Sequence, residues 1–182
     1  MLPNDPSSTK HVFGHVYSAE RHIDIPSFDD SNVTVESNLG FGGGKHIVEQ
    51  IFPYVPTPNY DHIAKFMLDK FRAFMPEVKI ADYSLEHRKY VFAKEDPEFE
   101  GKFHTDNSEY TIIWYYRIDE GINGGDLLIA DKYDTALSMY KNYHIVTPKE
   151  GLLVIFDGYH QVQKLWGEGE RNIITIFING SP

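Results

Sequence analysis

The sequence predicts a mainly β domain, an antiparallel sandwich or barrel buttressed by one helix. Two observations carry this reading. From residue 83 onward, short apolar runs recur with Gly or Pro at almost every break between them. Ahead of them, one stretch has helical periodicity instead. With 182 residues the chain can bury a sizeable core, and no repeat or linker divides it, so one domain over 1–182 is expected, its core at about 83–180.

In order, residues 1–10 are rich in Pro, Ser, Asn and Asp and read as a flexible end. Residues 11–57 mix loops with short β-like runs, Val33–Glu36 and His46–Phe52, until Pro53, Pro56 and Pro58 break the pattern. The helix is expected over 59–75: Ile63, Phe66, Met67, Phe71, Phe74 and Met75 fall on one stripe, Asn59 is placed to cap it and Pro76 stops it. Strands are expected at Lys89–Ala93, Glu109–Arg117, Asp126–Ala130, His144–Val146, Leu152–Phe156, Gln161–Lys164 and Asn172–Ile178. Tyr133–Tyr143 reads equally as a short helix or an irregular crossover.

Composition narrows the chemistry. With no cysteine, disulfides, thiolate metal sites and a cysteine nucleophile are excluded, so any metal must be held by histidine and carboxylate. A net charge of −10 argues against sequence-independent binding of duplex nucleic acid and weakly favours a neutral or basic substrate. The sequence has no long apolar run, and its start lacks the basic and apolar regions of a signal peptide. A cytoplasmic protein without membrane contact is the expectation.

The residues that carry chemistry centre on His104-Thr105-Asp106. On a strand, positions i and i+2 share a face, so His104 and Asp106 can reach one ion together. His160, delivered by the turn after the apolar run Leu152–Phe156, would complete a two-histidine, one-carboxylate set, which holds one face of an octahedral metal and suits ferrous oxygen chemistry. A rival triplet, His22-Ile23-Asp24, lacks the strand-rich context. Arg171 opens the apolar strand Asn172–Ile178 and should meet an anion, because an unpaired buried charge is costly. A surface arginine paired with Glu168 or Glu170 is the alternative. Thr175 shares its face by strand parity and could add a hydroxyl to the same anion.

Together these motifs resemble the Fe(II)- and 2-oxoglutarate-dependent dioxygenases, specifically the prolyl 4-hydroxylase-like group. The resemblance covers about residues 87–178: His104-Thr105-Asp106, then Ile113–Ile118, Gly124-Gly125 with Asp126–Ile129, the run ending in Phe156, His160–Gln163, and Arg171–Thr175. It implies a double-stranded β-helix (a cupin-like jelly roll) with Fe(II) on His104, Asp106 and His160. Arg171 would hold the distal carboxylate of 2-oxoglutarate, helped by Tyr116, with Tyr90 as a second tyrosine and Thr175 alongside. It also implies O2 as co-substrate, ascorbate as an accessory, and hydroxylation of a C–H bond in a protein or peptide. Aspartate at 106 favours hydroxylation over halogenation, which needs that coordination position vacated.

The sequence departs from this pattern in two places. An acidic insertion, Lys94–Glu100, lengthens the gap between Tyr90 and His104 and bears on the Tyr90 assignment. Phe177 stands where the nucleic-acid demethylase branch carries a second arginine, which argues against that branch. The alternatives are a small-molecule or nucleobase oxygenase on the same scaffold, and a non-catalytic metal-binding barrel. Gly40–His46 resembles a phosphate loop only superficially and reads as a flexible turn, while His11 and His15 read as solvent-facing.

Overall fold

A computed structural model describes the backbone of residues 12–16, 35–38, 47–53, 58–134 and 139–181, with side chains over 60–130 and 143–181. The expectations for His11, His15, His22–Asp24 and Gly40–His46 rest on parts of the chain outside the described residues.

Twelve strands and one helix are described: β1 (Val12–Val16), β2 (Val35–Asn38), β3 (Ile47–Pro53), α1 (Pro58–Phe74), β4 (Lys79–Phe92), β5 (Tyr110–Ile118), β6 (Ile122–Gly124), β7 (Leu127–Asp134), β8 (Met139–Val146), β9 (Leu152–Phe156), β10 (His160–Val162), β11 (Leu165–Gly167) and β12 (Gly169–Ser181). A seven-stranded sheet runs β1-β9-β5-β12-β4-β3-β2. A three-stranded sheet runs β10-β7-β8, and β11 pairs with β6. Every pairing is antiparallel. The antiparallel sheets are those of the jelly-roll, cupin-like double-stranded β-helix that the resemblance implies.

The large sheet is apolar on both faces, which explains why β9 is buried throughout and β5 is buried from Tyr110 to Tyr116. One face packs on α1, where Ile63, Met67 and Phe71 are fully buried against Tyr110, Trp114, Ile174 and Ile176. Each such side chain stabilises by about 1.5–3 kcal/mol, so this stripe fixes the helix as a buttress. The other face holds Tyr90, Phe92, Ile113, Tyr115, Val154, Phe156 and Ile173 against Leu127, Ile129 and Leu165. This second core contains the functional side chains.

Three expectations change. The ambiguous segment around 133–143 forms a hairpin, with Leu127–Val146 through Asp134–Met139 as paired positions and 135–138 outside the described residues. The strand foreseen at Lys89–Ala93 begins ten residues earlier, at Lys79. Its first half is mostly exposed, so no apolar alternation marks it. The helix starts at Pro58 rather than Asn59, a residue type suited to a first helical position.

On the helix side the core encloses one polar network. His87, fully buried, meets the Tyr60 hydroxyl through Nδ1 at 2.8 Å and the Tyr116 hydroxyl through Nε2. Burial, seconded by the charge of Lys89, pushes the imidazole down to about 3, so it is neutral in the folded protein. The unfolded chain takes up a proton at its ordinary 6.5. Stability contributed here is complete above pH 6.5 and is lost as pH falls toward 3, at about 1.4 kcal/mol per pH unit. Urea denaturation of His87→Gln should show a loss of about 1–3 kcal/mol at neutral pH and a shallower decline between pH 6.5 and 4 than wild type. Parallel pH profiles for the two proteins would refute this account.

Candidate metal and anion site

The candidate metal-ligating residues meet where the loop before β5 touches β10. His104 and His160 form an isolated antiparallel bridge, their backbone N–H groups donating to each other's carbonyls at 3.0 and 2.9 Å. That bridge aligns the two imidazoles, 4.4 Å apart between ring centroids. Asp106 sits between them, with Oδ1 3.6 Å from His104 Nε2 and Oδ2 3.5 Å from His160 Nε2. Both separations exceed direct hydrogen bonds and are the spacing of donors arranged around a shared centre. Among the described residues, these three form the one His/Asp/Glu cluster with ligand atoms within 4.8 Å of one another.

The surroundings orient each donor. His104 Nδ1 lies 2.7 Å from the Lys102 carbonyl and His160 Nδ1 lies 3.1 Å from that of Gly158. Since a carbonyl only accepts, each Nδ1 carries the proton and each Nε2 lone pair faces Asp106. The Thr111 hydroxyl donates to Asp106 Oδ2 at 2.6 Å, and Phe156 packs edge-on against His160, with ring centroids 4.8 Å apart. Burial alone would raise the Asp106 carboxyl, yet His104, His160 and Thr111 together hold it below the usual carboxylate range. The Asp106 carboxylate lifts His104, while burial lowers His160. A deprotonated carboxylate with two inward-facing imidazole nitrogens is the donor set a divalent first-row metal takes. The residues fit such an ion.

Arg171 enters the same inner face from β12 and is 1% exposed. Its guanidinium lies over the Tyr90 ring at 4.8 Å and the Tyr115 ring at 5.5 Å, and Nη1 donates to the Gly125 carbonyl at 3.2 Å. Nε has no partner although it is buried. The pairing with Glu168 or Glu170 is ruled out: Glu170 instead meets Lys89 at 3.3 Å and Arg117 at 3.5 Å on the opposite face. Gly125 is required here. Its φ is +75°, and a Cβ would come within 2.3 Å of Arg171 Nη1. Gly125 is therefore a cradle for the guanidinium, whereas Gly124 makes room for Lys164 and Trp166.

The structure brings together His104, Asp106 and His160, and puts Arg171 and Tyr90 on the same face. Thr175, 3% exposed, lies on that face four residues along β12 toward the metal end, paired with Ile113 and Glu86. Tyr116 is the exception. From Arg171↔Ile118, regular pairing would set Tyr116 opposite Ile173. Asn172 still pairs with Arg117, but a bulge then sets Ile173 opposite Tyr115, so Tyr116 faces α1. Tyr115 takes the place beside Arg171. Sequence reading missed Tyr115 because the strand is buried on both faces and alternation cannot choose between them. It also missed Thr111, whose odd-numbered position shared with Tyr115 was the available signal.

No family model and no curated protein sequence matches this chain. Solved structures match its fold. A Pseudomonas putida prolyl-4-hydroxylase is similar over 74% of this chain and 73% of its own, at 19% identity and a TM-score of 0.50. An oxidoreductase of the 2OG-Fe(II) oxygenase family from Burkholderia pseudomallei is similar over 72% of this chain and 68% of its own, at 12% identity and a TM-score of 0.53. The fold is thus that of the 2OG-Fe(II) oxygenases, prolyl-4-hydroxylases among them. No helix among the described residues is long and apolar enough to cross a membrane.

Thr111→Val should lower metal affinity about 10- to 100-fold, as loss of an outer-shell partner does, while leaving the fold intact. Titration of the metal-free protein with Co(II), followed by visible absorption, would measure it. Unchanged affinity would mean that the hydroxyl does not hold the carboxylate.

Proposed function

We propose that the chain is an Fe(II)- and 2-oxoglutarate-dependent dioxygenase that hydroxylates a C–H bond, its substrate a protein or peptide as in the prolyl hydroxylases it resembles. The observation that carries this is the buried Arg171 with its unanswered Nε, on the same sheet face as three metal donors. A non-catalytic barrel has no need of that cation, whereas a dicarboxylate co-substrate bridging metal and guanidinium answers it.

His104 Nε2, the Asp106 carboxylate and His160 Nε2 would hold the iron. Arg171 would bind the far carboxylate of 2-oxoglutarate, with Tyr90 as the ring beneath it and Thr175 on the same face. When bound, iron and 2-oxoglutarate with O2 supply the oxidation, converting the co-substrate to succinate and CO2 as the substrate gains a hydroxyl. Ascorbate would serve as an accessory reductant. The protein's own part is positional. The Nδ1 protons of both histidines, kept on backbone carbonyls, prevent the rings from turning. The Tyr90 and Tyr115 rings exclude water from the guanidinium, so its attraction for a carboxylate acts in a low-dielectric setting.

The purified protein loaded with Fe(II) should convert 2-oxoglutarate slowly to succinate even without a second substrate. His104→Ala and Arg171→Ala should each abolish this, and Gly125→Ala should raise the 2-oxoglutarate requirement about tenfold or more by displacing the guanidinium. Succinate release measured by NMR reads all four proteins. If neither the His104 nor the Arg171 variant changed iron or 2-oxoglutarate binding, the assignment would fail.

A further inference from the structure

A cavity beside the Gly-Gly turn takes no part in holding the metal or the co-substrate. It measures about 320 Å³ and lies between Glu100, the turn Gly124-Gly125-Asp126 and the segment Gln163–Trp166, a volume at the lower end of those that bind small ligands. Trp166 forms one wall. Its ring fits against Gly124, where a Cβ would meet Cζ3 at 2.3 Å, and 42% of the residue stays exposed. The first glycine of the pair is thus explained by this ring, as the second is by Arg171. The frame is tied by backbone: Gly125 N–H donates to the Lys164 carbonyl at 2.6 Å, and Gln163 N–H to that of Asp126 at 2.8 Å. Lys164, the cation of the lining, is answered by Glu98 at 3.0 Å. Glu100 and Asp126 form no ion pair among the described residues.

We propose that this cavity binds a lysine or arginine side chain of a peptide, with Trp166 as its aromatic wall and Glu100 and Asp126 as counter-charges. Indole is the aromatic ring that attracts a cation most strongly, and carboxylates beside it add charge-assisted hydrogen bonds. With Lys164 neutralised by Glu98, the carboxylates of Glu100 and Asp126 set a negative sign, which repels a dicarboxylate such as 2-oxoglutarate. One backbone ladder joins the cavity to the metal site. His104 pairs with His160, Gly101 N–H donates to the Val162 carbonyl at 2.9 Å, and Phe99 pairs with Leu165. The candidate metal ligands stand at one end of this ladder and the cavity at the other. From His160 to Gln163 is about 10 Å at the rise of a strand, a span that three residues of an extended peptide also cover. That the occupant belongs to the substrate rests on the reading of the protein as a peptide hydroxylase; the cation site itself does not.

NMR of the full chain carrying isotope-labelled tryptophan follows two indole signals, that of Trp166 identified by its loss in Trp166→Phe. N-acetyl-L-lysinamide or N-acetyl-L-argininamide should shift the Trp166 signal saturably and leave that of the buried Trp114 in place, while N-acetyl-L-glutaminamide shifts neither. Glu100→Gln and Asp126→Asn should each weaken the cationic probe about tenfold, as loss of one charge-assisted hydrogen bond implies. A Trp166 signal that ignores both cations, answers the glutamine probe equally, or keeps its response in the Glu100→Gln/Asp126→Asn double variant overturns the proposal. So does a response to 2-oxoglutarate, which would make the cavity part of the co-substrate site. In Mn(II)-loaded protein with 2-oxoglutarate, the proline signals of acetyl-Pro-Gly-Gly-Lys-amide or acetyl-Lys-Gly-Gly-Pro-amide should broaden about tenfold more than those of the matching glutamine peptide. Glu100→Gln should remove that difference. Equal broadening of lysine and glutamine peptides overturns the assignment of the occupant to the substrate. If no peptide is broadened, it is the peptide-hydroxylase reading that falls, and the cation site stands or falls on Trp166 alone.

Discussion

A guanidinium enclosed between two tyrosine rings and a glycine carbonyl, with a buried N–H unanswered, carries a desolvation cost that its surroundings must offset. Much of the inner core is arranged around that guanidinium. Gly125 adopts a left-handed conformation and lacks a side chain because Nη1 occupies the space a Cβ would take. Tyr90 is set directly across the strand pair from Arg171, and a bulge in β5 turns Tyr115 toward it. Replacing the arginine by a hydrocarbon would suit the apolar core, so its retention there points to function rather than to folding.

The second organising feature is that the large sheet separates two uses of the same residue types. His87 and His160 are both buried histidines held neutral by desolvation. His87 spends both ring nitrogens on tyrosine hydroxyls and serves the docking of α1. His160 spends one on a backbone carbonyl and turns the other toward Asp106. Neighbours in sequence diverge in the same way: His87 meets Tyr60 and Tyr116 on the helix side and Arg88 alternates to the other face, while Tyr116 packs in the helix-side core and Tyr115 in the other. Alternation along the strand makes each such pair, and in β5 a bulge against β12 decides that Tyr115, not Tyr116, joins the inner face.

The donor set was legible in the sequence through order and spacing: His104-Thr105-Asp106 gained weight over His22-Ile23-Asp24 from the strand-rich context that follows it, although in the fold Thr105 and Asp106 lie in a loop rather than on a strand. His160 and Arg171 were legible because a polar residue at the edge of a nearly continuous apolar run has few explanations. The buttressing helix announced itself by its period. The first half of β4 did not, since exposed strand carries no apolar alternation. Tyr116 was placed by resemblance on the site face, a position that holds only if β5 and β12 pair without a bulge.

The residues by themselves indicated the class of architecture, a candidate donor set of histidine and carboxylate, and an arginine at the edge of an apolar strand, since each follows from local period or from the residue types available. Tertiary structure alone decided which tyrosine stacks on that arginine, what holds Asp106, and why a side chain on the second glycine of the pair would displace the guanidinium. Those facts depend on register between strands distant in sequence. A one-residue slip reverses every side chain beyond it without altering the local pattern.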